Sequence, residues 1–179
     1  MSADLSGKAH PAVPRIAERR GAGPPDRAKG RSRRMNAGTG PGEMPEEVFR
    51  ALKRLMVEYA DAVDTRGDPE RVVACFTPDA AIDFSSVGFP VMRGEDEIRA
   101  FYAGLVENMA HEFHIAANPR AEYWDGTVGT ITSYVMGMGM PNSGDAISVQ
   151  VKYRMECVQH QGAWRCRRFT LDAMMPLTA

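Results

Sequence analysis

From Pro45 onward, large apolar residues return at three- and four-residue intervals. Val48, Leu52, Leu55, Met56, Tyr59 and Val63 form one stripe, which predicts an amphipathic helix. In RGDPERVVACF, Asp68 suits an N-cap and Pro69 the first helical position, so a short second helix opens there. Ala80 to Phe84 reads as a strand. The stretch VMRGEDEIRAFYAGLVENMA puts Ile98, Phe101, Tyr102, Leu105, Val106 and Met109 on one face of a third helix. After Ala110 the period falls to two, and strands are expected over about 112–124, 127–139, 146–160 and 163–174. Asp125-Gly126 signals a two-residue hairpin, Gln161-Gly162 a weaker one, and PNSGD (141–145) a longer turn. In the last strand the phase shifts between Trp164–Cys166 and Phe169–Leu171, which predicts a bulge near Arg167-Arg168.

Three helices followed by a meander of long antiparallel strands is an α+β design. One helical layer on a strongly curved sheet makes a cone, and the open end of a cone suits a small apolar molecule. Chain length supports a single domain with a real core: 179 residues, 44% hydrophobic and 25% charged, with a formal net charge of −1. That balance gives no global sign of nucleic-acid or membrane binding, and no apolar run approaches a membrane span. Cys75, Cys157 and Cys166 lack metal-ligand spacing and read as reduced thiols, which suits the cytoplasm.

Charge changes the picture only at the start of the chain. Residues 1–43 hold nine Lys/Arg against four Asp/Glu, while the remainder reverses the balance, 13 against 19. The first segment is also rich in glycine and proline and poor in large apolar residues. It reads as a solvated, disordered basic tail, leaving residues 44–179 as the folded domain. Its RSRR run (31–34) leaves nucleic-acid contact or targeting as the lesser alternative.

The candidate chemistry sits in HEFHIAANP (111–119), which holds two of the four histidines. Alternation from His114 places Ala116 and Asn118 on its face, with Phe113, Ile115 and Ala117 opposite; His111 falls on the far side. HEFH is not a helical HExxH and lacks a third ligand, so no metal is expected. On the next strand, Val128, Thr130, Thr132, Tyr134, Met136 and Met138 share a face. That face could line a pocket, pack under the helices or form a dimer surface.

The order YADAVDTRGDPERVVACFTPDAAIDF, RGEDEIRAFY, HEFHIAANP and QGAWRCRRFTLD resembles the SnoaL-like branch of the nuclear transport factor 2-like superfamily, over roughly residues 45–175. The resemblance implies the cone-shaped α+β barrel and a cofactor-free site. Its pattern is similar to the scytalone and bile-acid dehydratases, in which a Tyr and an Asp near the end of the first helix share a pocket with a His on the strand after the third. It therefore implies Tyr59, Asp64 and His114 as catalytic. Phe84, Tyr134 and Met136 fall in the regions that line the family's pocket, Asn118 joins them from the His114 face, and Tyr153 and Trp164 read as core or pocket wall, so these six are the substrate-binding candidates. Phe84 stands where the dehydratases carry a tyrosine and ketosteroid isomerase its base, which disfavours an Asp-based isomerisation; Asp83 should point to the opposite face. The polar group that the dehydratases carry on the next long strand is replaced in the region of Tyr134 and Met136.

Three readings follow. One is a dehydratase or cyclase/isomerase acting on a small hydrophobic ring compound, with His114 as proton shuttle, oriented by Asp64, and with Tyr59 as a hydrogen-bond donor. The second is a non-catalytic small-molecule-binding protein of the same fold. The third is an interaction protein whose sheet mainly builds a homodimer and whose basic tail does the recognition. An acidic residue beside His114 favours the first; a cone filled by Phe84, Met136 and Trp164 favours the third.

Overall fold

The computed structural model describes residues 42–175; the expected tail (1–43) lies almost wholly outside them. The first helix, α1, runs Glu46–Asp64, with Glu46 and Glu47 in its first turn, where carboxylates oppose the positive end of the helix dipole. It buries Leu52, Leu55, Met56, Tyr59, Ala62 and Val63. Thr65 closes the helix, its hydroxyl donating to the Asp61 carbonyl at 2.8 Å, and Arg66 turns the chain at φ 49°. Helix α2 (Pro69–Val73) opens as expected, the Asp68 carboxylate accepting from the Glu70 N–H at 2.9 Å.

Strand β1 (Phe76–Asp83) begins four residues earlier than its apolar core suggests and stops one short of Phe84, which caps a 3₁₀ turn, Ser85–Val87. A short strand, β2 (Val91–Arg93), pairs with β1; three residues are too few to carry a pattern, and the sequence gives no sign of it. Helix α3 (Gly94–Asn108) then passes without a loop into β3 (Met109–Trp124). Strands β4 (Gly129–Pro141), β5 (Ile147–His160) and β6 (Ala163–Ala173) complete an open sheet of order β2-β1-β6-β5-β4-β3. All pairs are antiparallel except β1 with β6. The fold is the expected α+β cone, three helices packed on a curved mixed sheet. No helix among the described residues is long and apolar enough to cross a membrane.

The turns correct one expectation. Gln161-Gly162 is the two-residue hairpin, both residues at positive φ (50° and 79°) and flanked by the pair His160–Ala163. Asp125-Gly126 belongs to a longer loop between Trp124 and Gly129. There the Asp125 carboxylate accepts from the N–H groups of Thr127 and Val128 at 2.9 and 2.7 Å, which closes a wider turn than the backbone alone would. The bulge in β6 is where the phase shift puts it: Glu156 faces Arg168 and Cys157 faces Cys166, so Arg167 is the extra residue.

Phe169 centres the core, with Tyr153, Tyr59 and Phe84 edge-on around it at centroid distances of 4.8, 5.1 and 5.3 Å. Arg66 fastens the helices to the sheet. Its guanidinium donates to the carbonyls of Val106, at 3.2 Å, and Ala110, at the junction of α3 and β3. Arg66→Ala strips both carbonyls of their donor and should cost about 2 kcal/mol in urea unfolding. A loss under about 0.5 kcal/mol, the ordinary range for a surface change, would show that the junction holds without it.

Candidate active site

The end of α1 meets β3 at Asp64. One carboxylate oxygen lies 2.6 Å from His114 Nδ1, and the other accepts the His114 backbone N–H at 3.0 Å. Both contacts fall on the same residue, so the imidazole is held in position and in orientation. With Nδ1–H donating to the carboxylate, Nε2 carries the free lone pair. The side chains of His114 and Asp64 are 16% and 25% exposed, sheltered yet open to solvent on one edge.

Room for the ring comes from β4. His114 faces Gly137 across the pair, and a methyl group built on Gly137 would stand 3.3 Å from the imidazole Cδ2 and 3.0 Å from Val149 Cγ2. Glu112, two residues earlier on the same face of β3, likewise faces a glycine, Gly139. Thus in MGMGM (136–140) the glycines line the inner face, while Met136, Met138 and Met140 stand on the outer one, 45%, 43% and 38% exposed.

Glu112 and Tyr102 complete the inner cluster. Their side chains line a small cavity of about 10 Å³ with Arg66 and Leu105, roughly the space for one water. Burial pushes the Glu112 carboxyl up to about 7; Arg66 pulls it down and Asp64 adds to the rise. Burial also raises the phenols of Tyr59, Tyr102 and Tyr153 well above their ordinary range.

The other expected residues are dispersed. Tyr59 is buried, and its hydroxyl pairs with that of Tyr102 at 2.8 Å, beneath the dyad. Tyr153 is buried beside it, their ring centroids 6.1 Å apart. Phe84 is buried in the core between Phe101 and Phe169. Tyr134 and Met136 lie on the outer face of β4, across the sheet from His114, because alternation that points Gly137 inward turns them outward. Asn118 sits exposed at φ 54° in a bulge between Ala117 and Arg120, where the alternation from His114 breaks. Trp164 packs on Trp124, some ten residues along β3 from His114 and so roughly 30 Å of strand away. His111 is exposed on the outer face.

The model of the SnoaL-like domain family matches residues 45–170. The chain belongs to the SnoaL-like family. Among solved structures, a protein from Novosphingobium aromaticivorans, provisionally named an aromatic ring hydroxylase, shares 34% identity over 76% of this chain and 95% of its own, with a TM-score of 0.74. A second protein from that organism, provisionally named a scytalone dehydratase, is 21% identical over 74% of this chain and 87% of its own (TM-score 0.66). The hexachlorocyclohexane dehydrochlorinase LinA-type3 of Novosphingobium barchaimii is 17% identical over 74% and 93% (TM-score 0.63). The last two are similarities of fold. A search of curated proteins gives no match.

For this member of the family, two members of the inner cluster were missed in the sequence, Glu112 and Tyr102. Alternation from His114 was enough to find Glu112, which shares its face; Tyr102 reads only as helix core until the Tyr59 contact is seen. Because Glu112 is raised from 4.5 to about 7 on folding, the native state holds a proton that the unfolded chain loses between those values. Stability therefore falls as pH rises through that window, and the penalty is complete above it. Glu112→Gln abolishes the ionisation, so its Tm should exceed the parent's by about 3 °C at pH 8 and by far less at pH 5. An offset equal at both pH values would show that burial does not perturb this carboxyl.

Proposed function

We propose that this protein is an acid–base enzyme that eliminates water from, or otherwise rearranges, a small hydrophobic ring compound without a cofactor. The Asp64 clamp on His114 carries the reading. A carboxylate that takes both the ring and the backbone of one histidine leaves Nε2 as a base of fixed aim, set beside apolar Val149. His114 takes a proton from carbon beside a carbonyl; Asp64 orients the ring and faces the charge it gains. Tyr59 acts indirectly, through its bond to Tyr102. The names of two proteins of similar fold, a dehydratase and a dehydrochlorinase, denote eliminations, which agrees with this chemistry.

Of the three side chains expected in a filled cone, Phe84 is buried, Trp164 packs against the core and Met136 stands on the outer face, while the acidic neighbour that favours the enzyme reading, Asp64, lies beside His114. A ring-sized substrate needs more than the 10 Å³ beside Glu112, so side chains around the dyad must move apart on binding. His114→Ala and Asp64→Asn should each lower turnover by roughly 10²–10⁴-fold, with the double variant little worse than the poorer single one. His111→Ala should change turnover little. Full additivity of the two losses would break the dyad; silence of both would leave a binding cavity without chemistry.

The outer sheet face supports a homodimer. Phe113 pairs with Met138, Ile115 with Met136 and Ala117 with Tyr134, and Phe113, Ile115, Tyr134, Met136 and Met138 are each 43–49% exposed. Such a contiguous apolar patch calls for cover, and a two-fold partner brings the same patch. Sedimentation at micromolar concentration should give a dimer that Met136→Glu converts to monomer; a monomeric parent contradicts this.

A further inference from the structure

His111 is the histidine for which the acid–base reading has no task. Met109 is buried on the inner face of β3, so plain alternation would turn His111 inward as well. The pairing with β4 prevents this. Met109 faces Pro141 and His111 faces Met140, which are neighbours on β4, so Ala110 is an extra residue and its bulge swings His111 to the outer face. Arg66 fastens the bulge by donating to the Ala110 carbonyl. HEFH therefore sends its two histidines to opposite sides of the sheet, His114 to Asp64 and His111 to the methionines of β4.

That end of the outer face gathers one kind of donor. Met138 and Met140 are 43% and 38% exposed, and His111 is exposed beside them. Directly opposed residues of an antiparallel pair have Cβ atoms about 5 Å apart, and diagonal ones about 7 Å. His111 has Met140 at the first distance and Met138 at the second, and methionine side chains are long and supple enough to bring both sulfurs to one imidazole. Among the described residues no three His, Cys, Asp or Glu side chains converge on a metal position. Magnesium or zinc thus finds no cage of its preferred donors, whereas an imidazole with two thioethers suits a soft monovalent ion.

We propose that His111, Met138 and Met140 form a copper(I) site on the outer face of the sheet, separate from the His114–Asp64 dyad. The three donors are neutral with one imidazole nitrogen deprotonated, so the ion keeps its single charge and no electron is transferred. Phe113, across from Met138, and Pro141, next after Met140, give the site an apolar border, which favours a weakly hydrated ion over a strongly hydrated one. The site stands or falls independently of the acid–base reading, because its three side chains lie on the other side of the sheet from the dyad. Met138 also belongs to the apolar patch that faces a second copy in the dimer, so the test must read the ion with that patch both covered and free.

Silver nitrate in chloride-free buffer is the first probe, since silver(I) is as soft as copper(I) and does not change oxidation state. It is titrated into the full chain labelled with ¹³C-methyl methionine, and the signals of Met136, Met138, Met140, Met174 and Met175 are assigned by their loss in the corresponding Leu variants. One equivalent should shift Met138 and Met140 and leave the other three nearly still. Copper(I), added anaerobically as its acetonitrile complex, should shift the same two, and zinc sulfate neither. His111→Ala, Met138→Leu and Met140→Leu alter exposed side chains and so should fold; each should weaken binding by about tenfold or more. Met136→Glu, which frees the outer face, should still show the two shifts; their loss there would put the ion between copies and overturn the proposal. Shifts spread evenly over all exposed methionines, uptake by the buried cysteines with the methyl signals still, or undiminished binding by His111→Ala would each overturn it as well. A response to silver without one to copper overturns the choice of metal.

Discussion

The site hangs on one carboxylate. β3 is an edge strand, paired only with β4, so half of its backbone groups face away from the sheet. Asp64 meets that edge, accepting the His114 N–H with one oxygen and the imidazole with the other. The same contact therefore covers an unpaired strand edge, anchors the end of α1 and fixes the tautomer of the histidine. Arg66, two residues later, works in parallel by binding the carbonyls of Val106 and Ala110. At the other end of the helix, the Gly42 N–H donates to the Trp124 carbonyl at 3.0 Å, so the segment around α1 is tied to β3 at both ends.

The polar cluster around this contact is set into an otherwise aromatic interior. Tyr59, Tyr102 and Tyr153 offer hydroxyls without offering charge, since burial holds each of them protonated. They form a floor that is apolar in bulk and polar at its tips, the combination that lets a buried ionisable group be hydrated or hydrogen-bonded at a few points only. In such surroundings the protonation of Glu112 responds to a neighbour's charge much more than it would in water.

Much of this was legible in the sequence. The helices, the long strands and the β6 bulge follow from period and phase, because each buries one face. Asp64 and His114 are separated by fifty residues and no local pattern joins them; only the family resemblance brings them together. What failed did so for specific reasons. Tyr134 and Met136 were given the inner face, because the pattern of β4 fits either orientation until Gly137 is known to hold the imidazole. Asn118 was carried past a bulge that a continuous alternation does not announce. The Asp125-Gly126 turn lengthened because a side chain, which dipeptide rules ignore, supplied the acceptor.

The methionine–glycine alternation of β4 has a consequence beyond its geometry. A one-residue insertion or deletion upstream in the strand, unless a new bulge absorbed it, would place Met136, Met138 and Met140 against His114 and Glu112 and leave glycines on the outer surface. One such change would thus crowd the inner face around His114 and erase the apolar exterior together. A length change within this strand therefore acts on both faces of the sheet at once.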